Sequence, residues 1–195
     1  MAAAGRLQHR WAWRASASQR RALPCGKVLV AGGPKAGTGE TAELWDPATG
    51  AWSDLPPMTH SRFCASGCVL PSGRVAVVGG RDTAAGVVGS AHRREAEAFD
   101  PEARTWQQLP PMAHARAEPA VVAVPGGLLA VAAEILDGDE PKPNELFDEA
   151  SGRWFTLPHV MAERRLSTEL VSLPAAALAA PAPGTAGGAA AAAAQ

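Results

Sequence analysis

The chain contains no tyrosine, only three cysteines, and no acidic residue before Glu40. Cys25, Cys64 and Cys68 are odd in number and too sparse for a disulfide scaffold. Cys64 and Cys68 read as members of one short strand, four positions apart and so on one face. In that setting they act as small apolar residues in a reducing compartment, which favours the cytoplasm, rather than as a metal pair. No run approaches the ~18 apolar residues of a membrane span outside an Ala-rich tail, and Pro and Gly interrupt that tail, so no membrane partner is expected. A net charge of −1 and a pI near 6.5 supply no electrostatic footprint for nucleic acid.

Motifs that carry chemistry are missing as well. Gly-x-Ser-x-Gly is absent, which removes the nucleophile elbow. His9, His60, His92, His114 and His159 never stand four residues apart around a Glu, and no cysteine pair joins them. Residues 32–41, GGPKAGTGET, have the glycine spacing of a phosphate loop, but Thr38 stands where Lys must follow. Asp137-Gly138-Asp139-Glu140 starts like a calcium loop and lacks its later Gly and Glu. Catalytic residues, cofactor-binding residues and metal ligands are therefore all expected to be none, and the chain is read as not an enzyme.

What is present is a block repeated three times. The first copy reads GKVLVAGG (26–33), ELWDPATGAW (43–52) and LPPM (55–58). The second reads GRVAVVGG (73–80), AFDPEARTW (98–106) and LPPM (109–112). The third reads GLLAVAAE (127–134), LFDEASGRW (146–154) and LPHVM (157–161). Leu55 to Leu109 spans 54 residues and Leu109 to Leu157 spans 48, the size of a supersecondary unit that buries its faces only by stacking on neighbours. Period and punctuation divide the middle unit into four strands: 62–70, 74–78, 95–99 and 106–109. No stretch in 23–160 carries a helical period free of Gly or Pro, so helices are not expected.

Four antiparallel strands per unit of about 50 residues is the pattern of a propeller blade. A di-glycine after an apolar strand, then an aromatic, then a Trp, resembles the kelch repeat. The marks are Gly32-Gly33, Trp45 and Trp52; Gly79-Gly80, Phe99 and Trp106; and Ala132-Ala133, Phe147 and Trp154. The third unit departs by losing both glycines and is expected to pack less tightly. No unit carries the Tyr usual before the Asp. The resemblance implies an all-β, kelch-like propeller segment over 23–173, with about three four-stranded blades plus one extra strand (165–173) in an incomplete ring. Galactose oxidase, an enzyme with kelch blades, uses a Tyr radical that a chain without tyrosine does not supply.

Outside the blades lie a basic head, 1–22, and an Ala/Pro/Gly low-complexity tail, 174–195. For the head three readings stay open: a decayed inner strand of the first unit, an organelle transit segment, or a disordered start. Three blades do not close a ring of the usual four to eight, so the chain reads as a fragment of a larger propeller whose open blade faces favour self-association.

One constellation recurs beside the fold marks. Met58-x-x-x-Arg62, Met112-x-x-x-Arg116 and Met161-x-x-x-Arg165 put an Arg at one point of each inner strand. Arg62, Arg116 and Arg165 are either partner-binding residues around a channel mouth or structural residues paired with a carbonyl or acid of the neighbouring blade. The function expected is a non-catalytic scaffold for protein–protein interaction. The alternative is a remnant or non-catalytic part of a carbohydrate-active or oxidoreductase propeller enzyme. In both readings cofactors are none, and the partner is a protein rather than nucleic acid or membrane.

Overall fold

A computed structural model describes residues 19–33, 39–82, 91–131 and 142–159. Twelve strands occupy them: β1 Gln19–Ala22, β2 Val28–Ala31, β3 Ala42–Asp46, β4 Ala51–Leu55, β5 Ser66–Val69, β6 Val75–Val78, β7 Ala96–Asp100, β8 Thr105–Leu109, β9 Ala120–Val124, β10 Gly127–Val131, β11 Glu145–Asp148 and β12 Arg153–Thr156. They form three separate four-stranded antiparallel sheets, each in sequential order. There is no helix among the described residues. The all-β, blade-like architecture expected from the repeat is thus what the described residues adopt, with three blades and no closed sheet among them.

Within a blade, the turn residues set the register. Asp46, Asp100 and Asp148 each accept a backbone N–H two or three residues on, at 2.9, 2.8 and 2.9 Å, and so fold the turn between the third and fourth strands. That turn places Trp45 opposite Trp52, Phe99 opposite Trp106 and Phe147 opposite Trp154. Gly26, Gly73 and Gly126, at φ of 82°, 87° and 83°, make the turn between the first two strands where a Cβ would be strained.

Between blades, alternate residues of each strand point to opposite faces, one leading toward the preceding blade and one trailing toward the next. The trailing face of blade one (Leu29, Ala31, Leu44, Leu55) packs on the leading face of blade two (Val75, Val77, Phe99). The trailing face of blade two (Leu70, Ala76, Val78, Ala98, Leu109) packs on the leading face of blade three (Leu128, Ala130, Phe147). Blade two is therefore covered on both sides, and all four residues of β6 are buried. First strands lie innermost, β1 beside β5 and β5 beside β9.

Two details differ from the expectations drawn from the sequence, the start of the inner strand of blade two and the packing of the third unit. The inner strand of blade two starts at Ser66 rather than Arg62, because Cys64 takes a left-handed φ of 51° that breaks the extended run. Cys64 and Cys68 consequently do not share a strand. Only Cys68 lies in β5, where burial pushes its thiol up to about 11. On its leading face the third blade packs as the second does: ring centroids are 5.2 Å apart in both Phe99–Trp106 and Phe147–Trp154, at 50° and 47°. Gln19–Ala22, within the segment 1–22 for which an inner strand of the first unit was one open reading, form β1, while 1–18, the residues 165–173 expected to form an extra strand, Ala132-Ala133 and the tail lie outside the described residues.

Candidate functional site

The site begins with a short connecting segment. From Leu55 the chain crosses from the outer strand of blade one to the inner strand of blade two, and Pro56-Pro57 stop β4. Met58 turns inward and is buried between the blades. Thr59 and His60 then donate their backbone N–H groups to the two carboxylate oxygens of Glu97, at 2.7 and 3.2 Å. Arg62 follows, its Nη2 donating to Glu97 Oε1 at 2.6 Å and its Nη1 to the carbonyls of Gly79 and Glu95, each at 2.9 Å. Arg62 and Glu97 are 1% and 0% exposed. Two backbone donors and one guanidinium saturate a carboxylate that has left water, the condition for burying it without a large penalty.

Burial by itself raises the Glu97 pKa, but the Thr59 N–H and the Arg62 charge outweigh it and hold the group below the usual carboxylate value. Burial lowers the Arg62 pKa, an effect that Glu97 only partly offsets. The depressed value keeps Glu97 ionised at neutral pH, and a guanidinium is effectively always protonated.

Blade three repeats the clasp. Ala113 and His114 donate to Glu145 at 2.7 and 3.2 Å, and Arg116 Nη2 donates to Glu145 Oε1 at 3.0 Å and to the Pro143 carbonyl. Each Arg also reaches back through its own carbonyl: Gly33 N–H donates to Arg62 O at 3.1 Å and Gly80 N–H to Arg116 O at 2.8 Å. A Cβ at Gly32 or Gly79 would lie 2.5 Å from these carbonyls. The first glycine of each di-glycine is thus needed for close approach to the next blade's Arg.

The clasp changes the standing of the predicted residues. Arg62 and Arg116 do not present guanidiniums at a channel mouth; both are buried and bonded within their own blades. The acid each meets stands on the third strand of the same blade rather than in the neighbouring blade. Arg165 lies outside the described residues. The residues that sequence reasoning missed are Glu97 and Glu145, although a Glu two before the aromatic recurs in all three units as Glu43, Glu97 and Glu145.

What the clasp positions for solvent is a polar rim. His60 and His114, half-buried, set their rings 3.6 and 3.3 Å from Glu97 and Glu145. Arg93 donates to the Ser61 carbonyl at 2.9 Å and pairs with Asp82 at 2.7 Å, tying the connection after β6 to the connection before β5. Beside them opens a recess of ≈ 270 Å³ lined by His60, Arg94, Glu95, Gln108, Leu109 and Pro111. Arg94 and Gln108 are exposed there. A cation, a carboxylate, an imidazole and an amide at one opening suit hydrogen-bonding side chains of a partner.

Three stacked four-stranded blades, joined by a carboxylate clasp at each junction, define a propeller segment built from repeats. Residues 62–113 match the Kelch motif family. The chain is 33% identical to human Kelch-like protein 28 over 110 residues, which is 54% of this chain and 19% of that protein. It is 32% identical to mouse Kelch-like protein 28 over the same length. The matched part thus spans about a fifth of these relatives. Residues 62–113 are thus a kelch repeat, and the four-stranded units on either side share its pattern.

Proposed function

We propose that the chain is a non-catalytic scaffold that binds another protein through the rim around the recess of blade two. The observation that carries this reading is the placement of Arg94, Gln108 and His60 around one recess, with the backbone of the His60 turn fixed by the Glu97 carboxylate. Binding to such a surface avoids much of the ordering cost that a free loop would bear. Arg62 and Arg116 serve it as positioning residues: they hold the carboxylates that hold the two histidine-bearing turns. The similarity to Kelch-like proteins supports a protein as the partner class. The open blade faces add self-association as a second mode of contact.

The test is proximity labelling in cells with the wild-type chain and with an Arg94→Glu/Gln108→Ala variant. Both substitutions fall on exposed side chains, so the variant is expected to melt with the wild type. A set of proteins labelled by the wild type and lost from the variant is the expected result. The same proteins labelled equally by both, or none above a tag-only control, would overturn the rim as the docking site.

A further inference from the structure

The Met-x-x-x-Arg spacing carries a second residue whose ring the clasp does not use. A histidine stands at its centre in both described copies, His60 in residues 58–62 and His114 in residues 112–116. Each donates its backbone N–H to the buried carboxylate and turns ring Nδ1 toward the same oxygen, 3.6 Å from Glu97 Oε1 and 3.3 Å from Glu145 Oε1. His60 Nδ1 is shut off from solvent and has no hydrogen-bond partner, while the side chain as a whole is 29% exposed. The open edge of the ring is thus the one that bears Nε2. A neutral imidazole carries its proton on one nitrogen, and which one is set by what the other meets. A bare lone pair at Nδ1 would face the Glu97 charge, so the carboxylate keeps the proton there and leaves Nε2 as an acceptor at the surface. The clasp therefore sets the hydrogen-bonding sense of the rim as well as its backbone.

Around that nitrogen the recess of blade two is mixed in charge. Arg94 is exposed, and among the described residues no hydrogen bond or ion pair engages its guanidinium or the Gln108 amide. Glu95 lines the same recess, its carboxylate 3.8 Å from Arg93. A partner carboxylate would meet the Glu95 charge and the His60 lone pair, and a partner ammonium would meet Arg94. A carboxamide is neutral, bears both an N–H and a C=O, and meets no like charge. Leu109 and Pro111 offer an apolar wall to its methylene stem.

We propose that the recess of blade two takes an Asn or Gln side chain of the partner protein, with His60 Nε2 accepting its N–H and Arg94 donating to its carbonyl. His60 is then the specificity-determining residue, and Glu97 acts through it by fixing the tautomer. This rests on the rim reading above and names the chemical group that the rim selects.

Two measurements at about pH 8, where an imidazole is neutral, test it. The first is two-dimensional proton–nitrogen NMR of the histidine rings in the full chain. His60 is expected to carry its proton on Nδ1, and a proton on Nε2 would overturn the proposal without any partner in hand. The second is panning of a phage-displayed randomised peptide library on the full chain. Peptides retained by the wild type are expected to carry Asn or Gln at one position about five- to tenfold more often than Asp or Glu. His60→Lys keeps the backbone donor to Glu97 but replaces the acceptor with a cation, and is expected to turn that preference toward Asp and Glu. Peptides lost from Arg94→Glu/Gln108→Ala yet indifferent to amide against acid would overturn the carboxamide and leave the rim standing. Peptides held equally by the wild type and that rim variant, or none retained at all, would overturn both.

Discussion

At the scale of single residues, the consequential group is a carboxylate whose strand pattern looks ordinary. Glu97 is the polar member of an alternating strand, yet it is fully buried and saturated by Thr59, His60 and Arg62. Arg62→Ala leaves that charge uncompensated, and urea titration should show a loss of about 3–5 kcal/mol. Glu97→Gln keeps an acceptor for the backbone and should cost less. The pH dependence follows from the direction of the Glu97 shift. Because its folded value is depressed, the stability it contributes is present above the ordinary Glu value of about 4.3 and is lost as pH falls through the folded value. Titrating stability downward from about pH 5 should show this slope in the wild type and a shallower one in Glu97→Gln. Equal slopes would mean that the clasp does not govern acid unfolding.

At the scale of the elements, each blade is fastened to the one before it by a Trp on its outer strand. Trp106 and Trp154 are both half-buried, make the same indole bond, to the Pro56 and Pro110 carbonyls, and meet their Phe partners at the same distance. Their truncation to Ala should therefore cost similar amounts, about 2–3 kcal/mol each, below the ~3–5 of a fully buried Trp. A much smaller loss at Trp154, measured by denaturant midpoint at constant slope, would restore the view that the third unit is loosely packed. The strands themselves were legible in the sequence. Gly-rich turns, Asp at the third turn and continuous apolar second strands each have a local cause. What local pattern did not reveal is non-local: the left-handed Cys64 that shortens β5, and the pairing of Arg62 with Glu97 across 35 residues. The Met-x-x-x-Arg spacing exposed one half of the clasp. The other half was hidden because a Glu in an alternating strand reads as a solvent-facing residue, and only its recurrence beside each aromatic marks it.

At the scale of the molecule, the self-association proposed above would link stability to association. A pairing that covered the half-buried Val28, Trp45 and Leu146 and the exposed Phe155 would draw the folding equilibrium with it. The melting temperature should then rise with protein concentration in the wild type and stay constant in Leu146→Arg. A wild-type midpoint independent of concentration would count against coupling of folding to pairing. Blade number was readable from the repeat spacing because tandem units carry their own punctuation; the occupant of an open face is not a property of spacing.

The clasp also fixes where the chain divides into exchangeable parts. Glu97 grips a segment that precedes its own blade's first strand, so a cut immediately before Ser66 would leave Glu97 and the Gly79 carbonyl without their donors. The unit that keeps its clasp whole runs instead from Met58 to Leu109, beginning with the Met that plugs the previous junction and ending with the Leu that opens the next. Recombination or grafting between kelch arrays should succeed at the Pro56-Pro57 step and fail within the eight residues that follow it.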